Sequence, residues 1–358
     1  MKSLSIFVFI LVIYLNLSAQ TDESVKKNYQ NAFNELISLQ KNPDTISFTK
    51  AVYITENAYY NGQLEFGSFI NGIRLLAHYS NIYSTKYRLS YKANDKSKIA
   101  LYGAIFKIMT DTIPIMADSL SEIFFHIPYT YDFNDIWGDI NWEDMFVTKL
   151  LVTHKGNCHS LPFLYKMIAE QFGINTYLAL APNHIYIKTY SEDFGWYNTE
   201  LTSGTFPLDS WLVASGYIHL TAIQNGVYMK ALDNRQSLAI CFTDLAEGFK
   251  RKTKKAEDDF IIDCCDTALF YYPHYVNAMI LKAETLKAKY EILTSKESKT
   301  DFEQTQAKEL YNRMEQIYNE VYQLGYRSMP KEMYVKWVQS LQLESEKYIN
   351  KSININSK

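Results

Sequence analysis

Cysteine is scarce in this chain of 358 residues, which contains only Cys158, Cys241, Cys264 and Cys265. Four thiols are too few for the disulfide framework of a small secreted scaffold. Cys264 and Cys265 are adjacent in a helical pattern, where a bridge between them would be strained. We therefore interpret these two as small buried residues, and Cys158 differs from them through its position in the chain.

Charge of one sign is also lacking, because 36 basic residues face 39 acidic ones and the net charge is only -3. This balance gives no general attraction to nucleic acid. The one basic cluster, at residues 250–255, is followed at once by three acidic residues. We interpret it as a solvated helix surface.

The common metal and nucleotide motifs are absent as well. The chain has no HExxH, no paired CxxC and no glycine-rich phosphate loop. His154 and His159 flank Cys158, but two ligands on one helix face are usually four positions apart. We expect neither a metal ion nor another cofactor.

Long hydrophobic runs are missing after residue 20. At the start, Lys2 precedes the apolar run Ile6 to Leu15, and small residues near Ala19 offer a cleavage site. The run is shorter than the roughly 20 residues that a membrane span needs, and no cysteine is near for a lipid anchor. We expect a signal peptide over 1–20, no membrane span after cleavage, and a periplasmic or secreted protein.

Composition otherwise indicates a globular protein, with 47% hydrophobic and 21% charged residues. The length allows two or three domains. The 29 tyrosines and 20 phenylalanines are spread throughout the chain, which favours core positions over a sugar-binding platform.

Residues 155–202 hold the one constellation that indicates chemistry. Cys158 follows Gly156 and opens an apolar run with helical spacing. Pro162 is tolerated only in the first turn of a helix, so the helix should begin close to Cys158. A thiol at that place lies near free backbone donors, which stabilise its thiolate.

After Gly173 the hydrophobic period changes to two, which predicts strands at 176–181, 184–189 and 196–201. A hairpin centred on Glu192 would set His184 directly opposite Glu200, with cross-strand Cβ atoms roughly 5 Å apart. Asn198 shares the face of Glu200 and is the alternative partner of the imidazole. The segment after residue 205 predicts further strands, with His219 on one of them and a turn at 225–226.

This order of motifs resembles the transglutaminase-like superfamily of papain-type thiol enzymes. The resemblance rests on KGNC, a helix ending in a GI pair, a strand, a histidine opening the next strand, and GWYNTELTSG. It covers about residues 125–220. Cys158 matches the nucleophile and His184 the base, while Glu200 stands where the superfamily usually has Asp.

The resemblance implies thiol acyl transfer, in which Cys158 attacks a carbonyl carbon, His184 accepts the thiol proton and Glu200 or Asn198 orients the imidazole. One oxyanion donor would be the backbone N–H of Cys158. Asn141 and Trp142 are candidates for the second donor. Water as acceptor would give a peptidase or amidase, and an amine would give crosslinking.

The pattern of the last third of the chain, from about residue 237, predicts helices. Ala268, Pro273 and Ala283 have the spacing of a tetratricopeptide repeat, and a poorer copy runs from 307 to 341. A polar insertion at 295–306 separates the two. Such helices also follow the thiol domain in a bacterial branch of the superfamily, in which the catalytic residues are often incomplete.

The hydrophobic periods predict an α+β fold, and the resemblance implies a papain-like transglutaminase-type core, in which a helix carrying Cys158 packs on an antiparallel sheet. We expect a signal peptide (1–20), an N-terminal helical region (21–115), this core domain (116–236) and a C-terminal helical, tetratricopeptide-like region (237–358). The N-terminal helices would pack on the core domain or cover its cleft.

Two functions stay open. The first is a Cys-His-Glu hydrolase or acyltransferase acting on peptides or proteins, cell-wall peptides among them. The second is an inactive domain that binds a peptide or a protein partner, in part through the C-terminal helices, with Cys158 as a buried helix-capping thiol.

Overall fold

The computed structural model describes residues 22–39, 46–86, 90–116, 123–340 and 343. The expected signal peptide at 1–20 lies outside the described residues. The fold is α+β, with many helices and three small sheets. This confirms the mixed fold class at that level.

The elements follow one another as a mixture of long helices and short strands. The helices are α1 (Asp22–Leu39), α2 (Phe48–Tyr59), α3 (Phe66–Lys86), α4 (Lys96–Thr110), α5 (Val147–Thr153), α6 (Ser160–Glu170), α7 (Asp209–Ser215), α8 (Leu220–Gln224), α9 (Asn234–Thr253), α10 (Asp259–Tyr271), α11 (Val276–Thr294) and α12 (Asp301–Gln323). The strands are β1 (Ile113–Met116), β2 (Ile123–His126), β3 (Thr130–Tyr131), β4 (Lys155–Gly156), β5 (Tyr177–Ala181), β6 (His184–Ser191) and β7 (Gly195–Thr199). A short 3-10 turn covers Trp142–Met145, and residues 331–340 are also helical.

The chain forms two compact units. The first contains Glu65–Tyr217 together with the described part of the chain from Met329 onward, and the second contains Ile218–Ser328 together with the described residues before Glu65. The domain boundaries expected at 115 and 236 stay predictions, because a compact unit is defined by contacts and not by independent folding.

The first unit is built around α6 and a three-stranded antiparallel sheet in the order β5-β6-β7. Helix α6 packs on β5 and β6, and α3 and α4 pack on α6. Its apolar side chains at 161, 164, 167 and 168 are all buried, as expected for a helix covered by a sheet and by other helices. The hydroxyl of Tyr165 donates to the carbonyl of Tyr102 at 3.0 Å and ties α6 to α4.

A short parallel ladder leads into the cysteine. Strands β3 and β4 pair with Thr130 opposite Lys155 and Tyr131 opposite Gly156. Helix α5 ends just before β4 at His154, whose φ of 56° turns the chain sharply. The ladder therefore fixes the backbone two residues before Cys158.

The strands predicted at 176–181, 184–189 and 196–201 are confirmed as β5, β6 and β7, with small differences at their ends. The further strands predicted after residue 205 are wrong, because this segment forms α7 and α8. His219 lies at the start of α8, where its side chain accepts from the backbone N–H of Thr221. The turn at 225–226 is present, and Gly226 has a φ of 70°. Period-two spacing over so few residues does not separate a strand from a short helix.

The second unit is helical in its described residues apart from connecting turns. Helices α9, α10, α11 and α12 each pack on the next, and α1 and α2 pack on α9. Tyr29 of α1 packs edge to face on Phe249 of α9, with ring centroids 5.4 Å apart. The polar insertion expected at 295–306 is a loop only up to Thr300. Thr300 and Glu303 form a capping box, and α12 begins at Asp301.

None of the helices within the described ranges combines the length and the apolar character that crossing a membrane requires.

Gly325 offers a test of the packing in the second unit. Its φ is 92°, and an added Cβ would lie 2.6 Å from the backbone nitrogen of Ala222. Gly62, in the same unit, has a φ of 78° and nothing within 4 Å of an added Cβ. We expect Gly325→Ala to lower the free energy of unfolding by about 2–5 kcal/mol, from backbone strain and overpacking, and Gly62→Ala by about 1–2 kcal/mol from strain alone. Urea denaturation measures both values, and equal losses would contradict the close approach.

Candidate active site

The three residues predicted to act together do meet in the first unit. His184 Nε2 lies 2.6 Å from Glu200 Oε2, and both side chains are almost fully buried. The hydroxyl of Tyr334 lies between sulfur and imidazole, 3.0 Å from Cys158 Sγ and 3.1 Å from His184 Nδ1. Thiol, imidazole and carboxylate therefore follow one another in a single buried chain of polar contacts.

Cys158 is held by the residue before it. The side-chain oxygen of Asn157 accepts from the backbone N–H groups of His159 and Ser160, at 2.9 and 3.2 Å. These contacts cap the start of α6, since free N–H groups at a helix start need side-chain acceptors. The cap fixes Cys158 two residues before the first helical residue, where the sequence predicted it.

Gly156 is required by a close approach and not by its φ. An added Cβ would lie 2.5 Å from Ser160 Oγ and 2.8 Å from Leu150 Cδ1. Ser160 Oγ also accepts from the backbone N–H of Asn157 at 3.1 Å. Only glycine therefore lets α5, β4 and the start of α6 approach one another here.

The hairpin places Glu200 differently from the prediction. In the observed register Ile187 lies opposite Thr199, so the hairpin is centred on Asp193 and not on Glu192. Continuing that register would set His184 opposite Thr202, and Glu200 is a diagonal neighbour on the same face. Diagonal Cβ atoms are roughly 7–8 Å apart or somewhat less. A glutamate side chain spans this gap, which gives a physical reason for Glu in place of Asp.

Glu200 itself is firmly positioned. Its backbone exchanges two hydrogen bonds with Thr205, at 2.9 and 3.0 Å. Its second carboxylate oxygen accepts from the backbone N–H of Thr202 at 2.8 Å. One carboxylate oxygen is hydrogen-bonded to the backbone and the other to His184, so the orientation of the carboxylate is fixed.

Two other candidates have different contacts. The amide nitrogen of Asn198 donates to the carbonyl of Pro207 at 2.9 Å and to Asp209 Oδ1 at 2.7 Å. It is therefore directed toward the start of α7 and not toward His184. Asn141 caps the 3-10 turn by accepting from the backbone N–H of Glu143 at 3.2 Å, and Trp142 is buried behind it.

The electrostatics favour a charged sulfur. Burial alone would raise the pKa of the Cys158 thiol, but a hydrogen bond with His184, the positive charge of that imidazole and the Tyr334 hydroxyl lower it below its ordinary value. Burial would lower the pKa of His184, yet the Glu200 carboxylate and the sulfur raise it to about 10. Both shifts favour a thiolate beside an imidazolium over a neutral thiol beside a neutral imidazole.

Cys264 and Cys265 have the opposite electrostatic character. Burial raises the pKa of both Cys264 and Cys265, and neighbouring negative charge adds to it. Cys241 is buried in α9. None of the four cysteines is in a disulfide. No group of three or more His, Cys, Asp or Glu side chains that could hold a metal ion occurs within the described ranges.

The sequence did not predict that residues near the C-terminus pack over the candidate active site. Tyr334 and Trp337 belong to residues 329–340, which we call the C-terminal strap. Trp337 packs edge to face on the His184 ring, with centroids 5.0 Å apart, and Tyr334 is fully buried. No local pattern signals this role, since the strap is about 150 positions from the histidine and reads as an ordinary helix.

Tyr131 was also missed. Its hydroxyl is buried close enough to Cys158 and Tyr334 for both to affect its pKa, but the geometry completes no hydrogen bond with any described residue. Burial holds its pKa well above the ordinary range, so the phenol remains a neutral donor. Tyr131 lies directly opposite Gly156 in the ladder of β3 and β4, and no local sequence pattern signals this pairing.

No protein-family model, no curated protein and no solved structure matches this chain. The site therefore has to be interpreted from its own geometry.

The diagonal contact of Glu200 makes a prediction about side-chain length. Glu200→Asp shortens the arm by about 1.5 Å, so the carboxylate no longer reaches the imidazole, and Glu200→Gln removes the charge. In both variants the pKa of His184 falls and the pKa of Cys158 rises. The pH midpoint of Cys158 alkylation by iodoacetamide should therefore move upward in both variants, as followed by mass spectrometry. A wild-type midpoint in Glu200→Asp would contradict the diagonal geometry.

Proposed function

We propose that this protein is a thiol acyl-transfer enzyme in which Cys158 is the nucleophile, His184 the acid–base group and Glu200 the residue that orients the imidazole. The observation that carries the proposal is the 2.6 Å contact between His184 and Glu200 behind a sulfur of lowered pKa. Structural cysteines buried in apolar surroundings have raised pKa values instead.

The proposed reaction begins from the thiolate–imidazolium pair. The Cys158 thiolate attacks the carbonyl carbon of an amide and forms a C–S bond, and the carbonyl π electrons move to oxygen. When the tetrahedral species collapses, the C–N bond breaks and the imidazolium of His184 gives its proton to the departing amine. Water or a second amine then attacks the thioester, His184 removes a proton from it, and the thiolate leaves.

Two donors are available for the oxyanion. The backbone N–H of Cys158 has no acceptor among the described residues. The buried hydroxyl of Tyr131 lies beside Cys158 and Tyr334 without completing a hydrogen bond to a described residue. A pair of preorganised donors in a site that excludes water is the usual means of stabilising such an oxyanion. We assign the second donor to Tyr131, because its hydroxyl is buried beside Cys158, whereas Asn141 is exposed.

The wider identity belongs to this proposal as well. The KGNC and GWYNTELTSG motifs support a transglutaminase-like core, and the alanine and proline spacing in α10 and α11 supports tetratricopeptide-like helices. We further propose a periplasmic or secreted location and peptide or protein substrates, including cell-wall peptides. Hydrolysis is favoured over amine transfer by the resemblance to bacterial members of that superfamily.

The test is formation of an acyl enzyme from an activated ester, with p-nitrophenyl acetate as the probe. Wild-type protein should release nitrophenol and retain an acetyl group on Cys158, as located by mass spectrometry. Cys158→Ala should lose the acetyl group, and His184→Ala should form it much more slowly. Tyr131→Phe should slow acylation by about 10²-fold, the usual effect of losing one oxyanion donor.

Cys241 is the internal control, because it is a buried cysteine on α9 and not at the start of α6. Acetylation spread equally over the four cysteines, or unchanged by His184→Ala, would contradict the enzyme and favour the alternative of an inactive peptide-binding domain.

A further inference from the structure

The candidate active site is closed by the protein itself. Cys158 is only 7% exposed and His184 only 3%. A thiolate that attacks a carbonyl needs the reacting carbon roughly 3–3.5 Å from sulfur. The Tyr334 hydroxyl occupies that distance range, at 3.0 Å from Cys158 Sγ. A substrate carbonyl can take the position of this hydroxyl only after Tyr334 has moved away.

The strap is fastened mainly at its edges. The backbone carbonyl of Met329 accepts from the side-chain amide of Asn183 at 3.1 Å. Lys331 Nζ lies 2.7 Å from Asp139 Oδ2, in a pair that is largely exposed. At the far end, Trp337 Nε1 donates to Ser215 Oγ at 3.1 Å.

Aromatic contacts fill the space between these fastenings. The Tyr334 ring lies 4.9 Å from the Trp137 ring, and Trp337 stacks on Trp211 of α7 at 6.4 Å. Trp137 and Trp211 belong to the body of the first unit, so they would be left uncovered if the strap moved. The strap thus fills the cleft over the sulfur with its own side chains.

We infer that residues 329–340 are an autoinhibitory strap, which places Tyr334 where a substrate carbonyl must lie and has to move away before Cys158 can react. This inference rests on the proposed function and adds the regulation of the same site. Opening would require loss of the Lys331–Asp139 pair and of the tryptophan contacts, and would leave the thiol, imidazole and carboxylate on their own elements.

The fastenings can be weakened without touching the triad. Lys331→Glu turns the ion pair with Asp139 into a repulsive pair, and the double variant Lys331→Glu/Asp139→Lys restores opposite charges. Trp211→Ala removes the surface on which Trp337 stacks. Lys336→Glu is the matched control, because it makes the same charge change at an exposed position of the same helix.

Two measurements on the full-length protein give separate readouts. Iodoacetamide alkylation of Cys158, followed by mass spectrometry, reports access to the thiolate. Amide hydrogen exchange of residues 331–340 reports opening of the strap itself. Both rates should rise by about twofold to fivefold in Lys331→Glu, as expected for an exposed ion pair, and by at least about tenfold in Trp211→Ala, as expected for loss of a large packed side chain.

The restored pair and Lys336→Glu should both behave like the wild type. In one outcome, hydrogen exchange of the strap becomes faster in the variants while Cys158 is alkylated no faster than Cys241. That outcome would contradict the proposed thiol chemistry but not the closure. Rapid alkylation of wild-type Cys158 that neither Lys331→Glu nor Trp211→Ala increases would overturn the strap. Equal effects of Lys331→Glu and Lys336→Glu would overturn it too.

Discussion

The contact between His184 and Glu200 is the interaction on which the candidate site depends. Glu200 is only 1% exposed, and a buried carboxylate without a cation would be strongly destabilising, typically by about 3–5 kcal/mol once its partner is removed. The imidazolium provides the compensating charge, and the backbone N–H of Thr202 provides a further hydrogen bond. The same positive charge then stabilises the thiolate of Cys158 on the other side of the ring.

The scaffold is arranged to keep these groups at their distances. The Asn157 cap and the close approach at Gly156 fix the sulfur at the start of α6. The antiparallel register of β6 and β7 fixes the imidazole and the carboxylate. Packing of α6 on β5 and β6 then joins the two halves of the site. A buried site of this kind keeps its charges only because every member has a polar partner.

Much of this site could be predicted from the sequence because its signals are local. Pro162 limited where the helix after Cys158 could begin. The alternation of apolar and polar residues predicted the strands that carry His184 and Glu200 and placed both side chains on one face of the sheet. The register was missed by two residues because alternation gives the face of each strand but not the length of the connection, which covers only residues 192–194. Asn198 pairs with Asp209, whose position depends on α7, and no alternation pattern distinguishes this short helix from a strand. The strap could not be predicted, since Tyr334 reaches Cys158 from 176 positions away.

The side chains that cover the site affect both the stability of the buried ion pair and the access of substrate to Cys158. Tyr334 and Trp337 complete the apolar surroundings of His184, so the same side chains that shield the ion pair also block access to it. The Tyr334 hydroxyl contacts both the sulfur and the imidazole. In the proposed open state, a substrate would occupy the position of this hydroxyl.

The central claim is that a thiolate–imidazolium pair exists in the folded protein at neutral pH. The most direct measurement is the ultraviolet absorbance of the thiolate, recorded as a pH titration of wild type minus Cys158→Ala and repeated with His184→Ala. The claim predicts that the wild-type thiolate signal persists below the ordinary pKa of a cysteine and moves to higher pH without His184. A Cys158 signal that develops only above that pKa, and that is the same with and without the imidazole, would contradict it.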